Sequence, residues 1–171
     1  MMRSLLAAAL AAGCMVPCLR ADDEEKVPLD KLPKPVVEAV KKRYPSGKLV
    51  GASKESENGK VEYEVNLESD GKKIEVTLTA EGTLTGIEIA IDVKDLPKPV
   101  AAALEAKYPG AKYKDAEQII KVKDGMEKVS GYEVEVVTAD KKTIEVVVSP
   151  EGKIESAKEE KSEKKEQPKK Q

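Results

Sequence analysis

Glutamates at alternating positions are the residues of this sequence most able to act chemically as a set. Glu62 and Glu64 lie in one alternating run and Glu75 in the next, and Glu133, Glu135 and Glu145 form a second such set further on. Alternation places side chains on one face of a strand, so each set would point the same way. Carboxylate oxygens arranged like this suit calcium or magnesium, or a basic partner surface. They equally suit the solvated side of a one-sided sheet, where something polar must alternate with the core. No ligand series of the EF-hand kind accompanies them, so no metal ligand is assigned.

Other chemistry is poorly supplied. The chain contains no histidine and two cysteines, Cys14 and Cys18, both close to the start. Without histidine the Ser-His and Cys-His nucleophile pairs are excluded, as are the usual zinc, copper and haem ligand sets. No glycine-rich phosphate loop occurs, and no serine recurs between the two halves with a matched lysine. The expectation is a protein with no catalytic residues and no cofactor.

The flanks read differently from the middle. Residues 1–21 carry a basic head at Arg3 and an apolar run from Leu5 to Ala12, followed by small residues. That order is a signal peptide, and the run is too short to span a bilayer permanently. Cleavage after Ala21 would leave a chain without cysteine, disulfide or transmembrane segment. An alternative is lipoprotein processing at LAAGC, with Cys14 lipidated and a lipid anchor at the envelope. Either way the protein is exported, to the periplasm or beyond. Residues 158–171 are dominated by Lys, Glu and Gln, and lack the apolar surface to offset ordering entropy, so a disordered tail is expected. The net charge is -2 with charged residues making up 36% of the chain. Both signs are interspersed, so no basic face for nucleic acid is expected.

Between the flanks the sequence is written twice. LPKPVVEAVKKRYP at 32–45 recurs as LPKPVAAALEAKYP at 96–109, a shift of 64 residues. YEVNLESDGKKIEVTLTAEG at 63–82 recurs as YEVEVVTADKKTIEVVVSPEG at 132–152. The larger offset of this second match places a small insertion near Lys123–Gly131. Each copy opens with a helix starting at its first or second proline, where a missing N–H is harmless. Val36, Val37, Val40 and Tyr44 make one apolar stripe, repeated by Val100, Ala103, Leu104 and Tyr108. Strands follow at about 48–56, 61–68, 74–79 and 83–91, and again at about 112–122, 127–138, 142–148 and 153–157. Turn signals at Asn58-Gly59, Asp70-Gly71 and Glu81-Gly82 join neighbours too closely for anything but antiparallel pairing. Gly86 interrupts the last alternation of the first copy, as a bulge would. Tyr44, Tyr63, Tyr108 and Tyr132 fall on apolar stripes and are expected in the core; Tyr113, lacking a counterpart, is expected at the surface.

The fold class is therefore α+β: two repeated modules, each one helix packed on an antiparallel sheet of about four strands. Residues 22–31 are a linker, 32–91 the first repeat, 92–95 a connector and 96–157 the second. A module of about 60 residues is marginal alone, so close packing of the two is expected; edge to edge in one larger sheet with both helices on one face is one arrangement, and two beads on a tether is the alternative.

The ordered set LPxxV…YP, a Tyr-Glu-Val strand and a strand closed by Glu-Gly resembles the PepSY-like, β-lactamase-inhibitor-like domain family, here in two tandem copies over about residues 29–158. The resemblance implies a bacterial periplasmic or cell-surface protein without catalytic residues, whose modules hold or inhibit a protein partner. Family members often carry Phe in the third strand, and this chain does not. The function expected is binding or inhibition of a protein of unknown identity. The alternative is a low-affinity divalent-cation or small-ligand binder using the acidic face Glu62, Glu64, Glu75, Glu133, Glu135 and Glu145.

Overall fold

The computed structural model describes residues 24–57 and 59–159. Residues 1–21, with Cys14 and Ala21, and the tail beyond Glu159 lie outside the described residues. Among the described residues nine strands run in the order β1 (Glu25–Lys26), β2 (Lys48–Glu57), β3 (Lys60–Ser69), β4 (Lys72–Thr79), β5 (Leu84–Ile91), β6 (Lys112–Lys123), β7 (Met126–Val137), β8 (Thr143–Val148) and β9 (Ile154–Glu159). Helix α1 (Lys34–Arg43) precedes β2 and α2 (Lys98–Lys107) precedes β6. Each strand pairs antiparallel with its neighbours in sequence, so the sheet order is the chain order. The sheet of about four strands expected for each module is not a separate one: both modules belong to one nine-stranded sheet, the edge-to-edge arrangement. The reason is the seam β5–β6, where Gly86 to Ile91 pair residue by residue with Lys121 to Ala116. Pairing there satisfies backbone groups that two separate sheets would leave on open edges.

Two further departures lie at the margins. The linker folds: Glu25 and Lys26 pair with Lys54 and Ser53 on the outer side of β2, and Leu29–Lys31 forms one turn of 3-10 helix. At the other end β9 continues through Lys158 to Glu159, beyond residue 157, the last assigned to the second repeat. Backbone pairing to β8 sustains Lys158 and Glu159 without apolar side chains of their own.

Both helices begin just after a proline and stop at a tyrosine whose N–H donates to the carbonyl of Val40 or Leu104. Val36 and Val40 of α1 sit in one core with Val65, Leu67, Val76, Leu78 and Ile87. Val100 and Leu104 of α2 sit in a second with Val134, Val136, Val146 and Val148. Ile87 of the first core pairs with Ile120, and Ile91 of the second with Ala116. Directly opposed residues share a sheet face, so both helices cover the same one. Among the described residues the other face carries no helix.

Why the Glu-Gly turn recurs is visible in the packing. Gly82 (φ +83°) and Gly152 (φ +88°) each abut the start of a helix. A Cβ added to Gly82 would lie 2.6 Å from the Pro35 carbonyl oxygen, and one on Gly152 would lie 2.5 Å from that of Pro99. Only glycine combines this left-handed backbone with so close an approach. The motif thus locks each helix N-terminus onto the turn between the last two strands of its module.

The insertion lengthens the β6–β7 hairpin to strands of 12 residues, against 10 for β2 and β3. Its turn has positive φ at Asp124 and Gly125, the two-residue geometry that matches strand twist. The extra length reaches across the module boundary. Ile120 and Val122 pack against the first core, and Glu127 meets Arg43 of α1 at 2.9 Å.

Candidate functional site

The uncovered face of the sheet collects the glutamates. In β3, Glu62 and Glu64 alternate with core-facing Tyr63 and Val65; in β4, Glu75 lies between buried Ile74 and Val76. In β7, Glu133 and Glu135 alternate with buried Tyr132, Val134 and Val136, and Glu145 in β8 pairs directly with Glu135. All six sequence-derived candidates therefore share one face. They are not one cluster, however. Glu62 lies opposite Thr79, away from the middle; Glu64 accepts a hydrogen bond from the Ser53 hydroxyl at 3.1 Å; Glu135 is ion-paired with Lys114.

Two residues absent from that set join the halves. Glu88 on β5 lies directly opposite Glu75, and Glu117 on β6 lies directly opposite Glu133. Glu88 and Glu117 flank the seam on the diagonal, since Glu88 pairs with Ile119 and Glu117 with Ala90. Carboxylate oxygens of Glu88, Glu117 and Glu133 come within 4.8 Å of one another. A row Glu75–Glu88–Glu117–Glu133 thus crosses four strands. Glu88 was legible as the polar member of the alternation Ile87-Glu88-Ile89; Glu117 sits among residues without clear period, and only pairing reveals it.

Like charges so placed resist ionisation. Burial and the nearby carboxylates of Glu75, Glu133 and Glu117 push Glu88 up to about 8. Burial, then Glu64 and Glu117, push Glu75 up to about 7, opposed by a hydrogen bond from Asn66. Glu133 is raised by burial and by Glu145 and Glu117, with Lys158 acting in the other direction. Glu64 is raised by burial and Glu55, against its bond from Ser53. A neutral or hydrogen-bonded state, a cation, or a partner's basic group would each relieve this repulsion.

The tyrosines follow expectation at four positions: Tyr132 is buried, and Tyr44, Tyr63 and Tyr108 pack against the cores. Tyr113 is a correction. It is half-buried against the second core, with its hydroxyl donating to Glu105 at 3.4 Å. Its counterpart is Leu49, which packs on the first core in the same way.

A family model described as "Putative beta-lactamase-inhibitor-like, PepSY-like" matches residues 21–86 and 84–156. The chain belongs to the PepSY-like family. It carries two copies of the domain. Among solved structures, a DUF2874 family protein from Bacteroides uniformis is similar at 20% identity and TM-score 0.58, over 74% of this chain and 88% of that one. A protein from Bacteroides eggerthii described as "putative periplasmic" is similar at 15% identity and TM-score 0.59, over 74% and 88%. A BLIP-like protein from Bacteroides fragilis is similar at 20% identity and TM-score 0.53, over 73% and 84%. These likenesses show a shared fold. No curated protein matches the chain. Among the described residues no helix is long and apolar enough to cross a membrane.

Proposed function

We propose that this PepSY-like chain is an exported, non-catalytic binding protein whose uncovered sheet face seats a protein partner in the periplasm or at the cell surface. One observation carries the reading: half-buried glutamates crowd an otherwise open face, at a cost in repulsion that a basic partner surface would relieve. The family membership supports it, as do the similar folds described as BLIP-like and periplasmic. A shared fold does not transmit a partner, so the partner's identity rests on experiment.

Affinity capture from the envelope of the producing cell tests the proposal. The wild-type chain should recover one protein in stoichiometric amount. The triple variant Glu88→Gln, Glu117→Gln, Glu133→Gln should recover less than a tenth of it while melting as one folded unit. Equal recovery by both would refute the role of this face. Divalent-cation binding, the other class of ligand for these carboxylates, gives a different result. Calcium would raise the melting temperature of the wild type alone, with no protein recovered.

A further inference from the structure

Among the departures of the second copy from the first on the open face, one is an apolar residue in place of a glutamate at the seam. By the shift of 64 residues, Ile119 of β6 stands where the first module has Glu55. Ile119 lies opposite Glu88 on one side and Gly131 on the other. It therefore shares the face that elsewhere presents glutamate. Met126, at the start of β7, is 70% exposed, the most exposed large hydrophobic side chain among the described residues. Gly86, at the bulge in β5, contributes no side chain beside them. Together with Thr77 and Thr85 these residues line a trough of about 920 Å³. A scattered surface apolar residue needs no explanation, whereas apolar residues gathered around a concavity on a charged face do.

The charge around the trough is set by the same insertion. Lys121 and Lys128 are directly opposed across β6 and β7, and Lys123 is opposed to Met126. All three lysines are exposed. Glu127, the acidic residue between Met126 and Lys128, points the other way and is held by Arg43. Like charges directly opposite destabilise a sheet, and here the hairpin turns its own acid to the helix side. Lys128 has Glu151 within electrostatic reach, and Lys121 and Lys123 have no ion pair among the described residues. The hairpin end of the trough is thus oily and carries Lys121, Lys123 and Lys128, while Glu62 and Glu88 line its other end, toward the anionic middle of the face.

We infer that this trough receives a segment of a protein partner that inserts an apolar side chain beside Ile119 and Met126 and sets acidic side chains against Lys121 and Lys123. The inference rests on the reading of the open face as a protein-binding surface and adds which chemistry docks at its hairpin end. A methionine wall adapts to the shape of an incoming apolar group, and the lysines select against a basic neighbour of that group.

The test uses the full chain labelled with 13C-methyl methionine. Of its four methionines, three precede residue 16, and comparison with Met126→Leu assigns the Met126 methyl signal. Two blocked peptides serve as probes, Gly-Glu-Leu-Glu-Gly and Gly-Lys-Leu-Lys-Gly. The acidic peptide should move the Met126 signal with a dissociation constant at least ten times lower than that of the basic one. The double variant Lys121→Glu, Lys123→Glu should invert that order. Equal shifts from both peptides, or none, overturn the inference. Envelope capture separates the two readings. Capture that survives the lysine double variant but fails in the glutamate triple variant removes the trough and leaves the open face standing. No capture by wild type removes the broader reading, whatever the peptides do.

Discussion

Changing Glu88 to Gln should make the protein more stable in base and leave it unchanged in acid. The folded state raises Glu88 from 4.5 to about 8 through burial and its carboxylate neighbours. Between those two values the native protein holds a proton that the unfolded chain releases. Stability is therefore fully present below about pH 4.5, falls as pH rises through the window, and is lost by about pH 8. A tenfold change in proton affinity is worth about 1.4 kcal/mol, which sets a ceiling of about 5 kcal/mol for this displacement. Glu88 is half-buried, and solvent screening brings the expected loss to about 2 kcal/mol. Glutamine presents the neutral shape at every pH. Urea unfolding at pH 5 should give the two proteins equal stability within about 0.5 kcal/mol, and at pH 9 the variant should be ahead by about 2 kcal/mol. Wild-type stability that is flat or rising from pH 5 to pH 9 would refute the electrostatic reasoning, as would a variant that is weaker at pH 9.

Other outcomes follow from the packing. Gly82→Ala meets both a positive φ and the Pro35 carbonyl, so a loss of about 3 kcal/mol in chemical unfolding is expected. Gly71→Ala, with φ +74° and nothing within 4 Å of the added atom, should lose only about 1 kcal/mol; equal losses would remove the helix contact from the explanation. Ile120→Ala should cost about 2 kcal/mol, because this residue of the second module packs into the first core. Arg43→Ala, whose partner Glu127 is also partly exposed, should cost under about 1 kcal/mol. A fragment ending at residue 91 loses Ile120, Val122 and every partner of β5 at the seam, and circular dichroism should show no cooperative melting for it. A sharp transition would mean that the first module is self-sufficient.

The strands were legible because their side chains obey a period of two, and the helices because prolines and a tyrosine bracket one apolar stripe. Even the bulge at Gly86 could be read, since glycine interrupts an otherwise regular alternation and the register does shift between Thr77 and Leu78. The seam was not fixed by any local pattern. Nothing near Glu117 announces that β6 will pair with β5 and bring it beside Glu88, because strand pairing is a relation between segments. For the same reason the six glutamates could be assigned to a face but not ranked within it. Tyr113 has no tyrosine counterpart in the first copy; its structural counterpart is the leucine at position 49, which fills the same space with different chemistry.

The meander has a geometric corollary. With β1 at one margin of the sheet and β9 at the other, chain preceding Glu24 and chain following Glu159 leave from opposite sides of the molecule. Eight inter-strand spacings of about 4.8 Å separate those exits by roughly 38 Å. Anything fastened at one margin therefore stands well clear of anything fastened at the other, and the β1 exit starts from Glu24, which lies near enough to Glu64 and Glu75 to act on their ionisation.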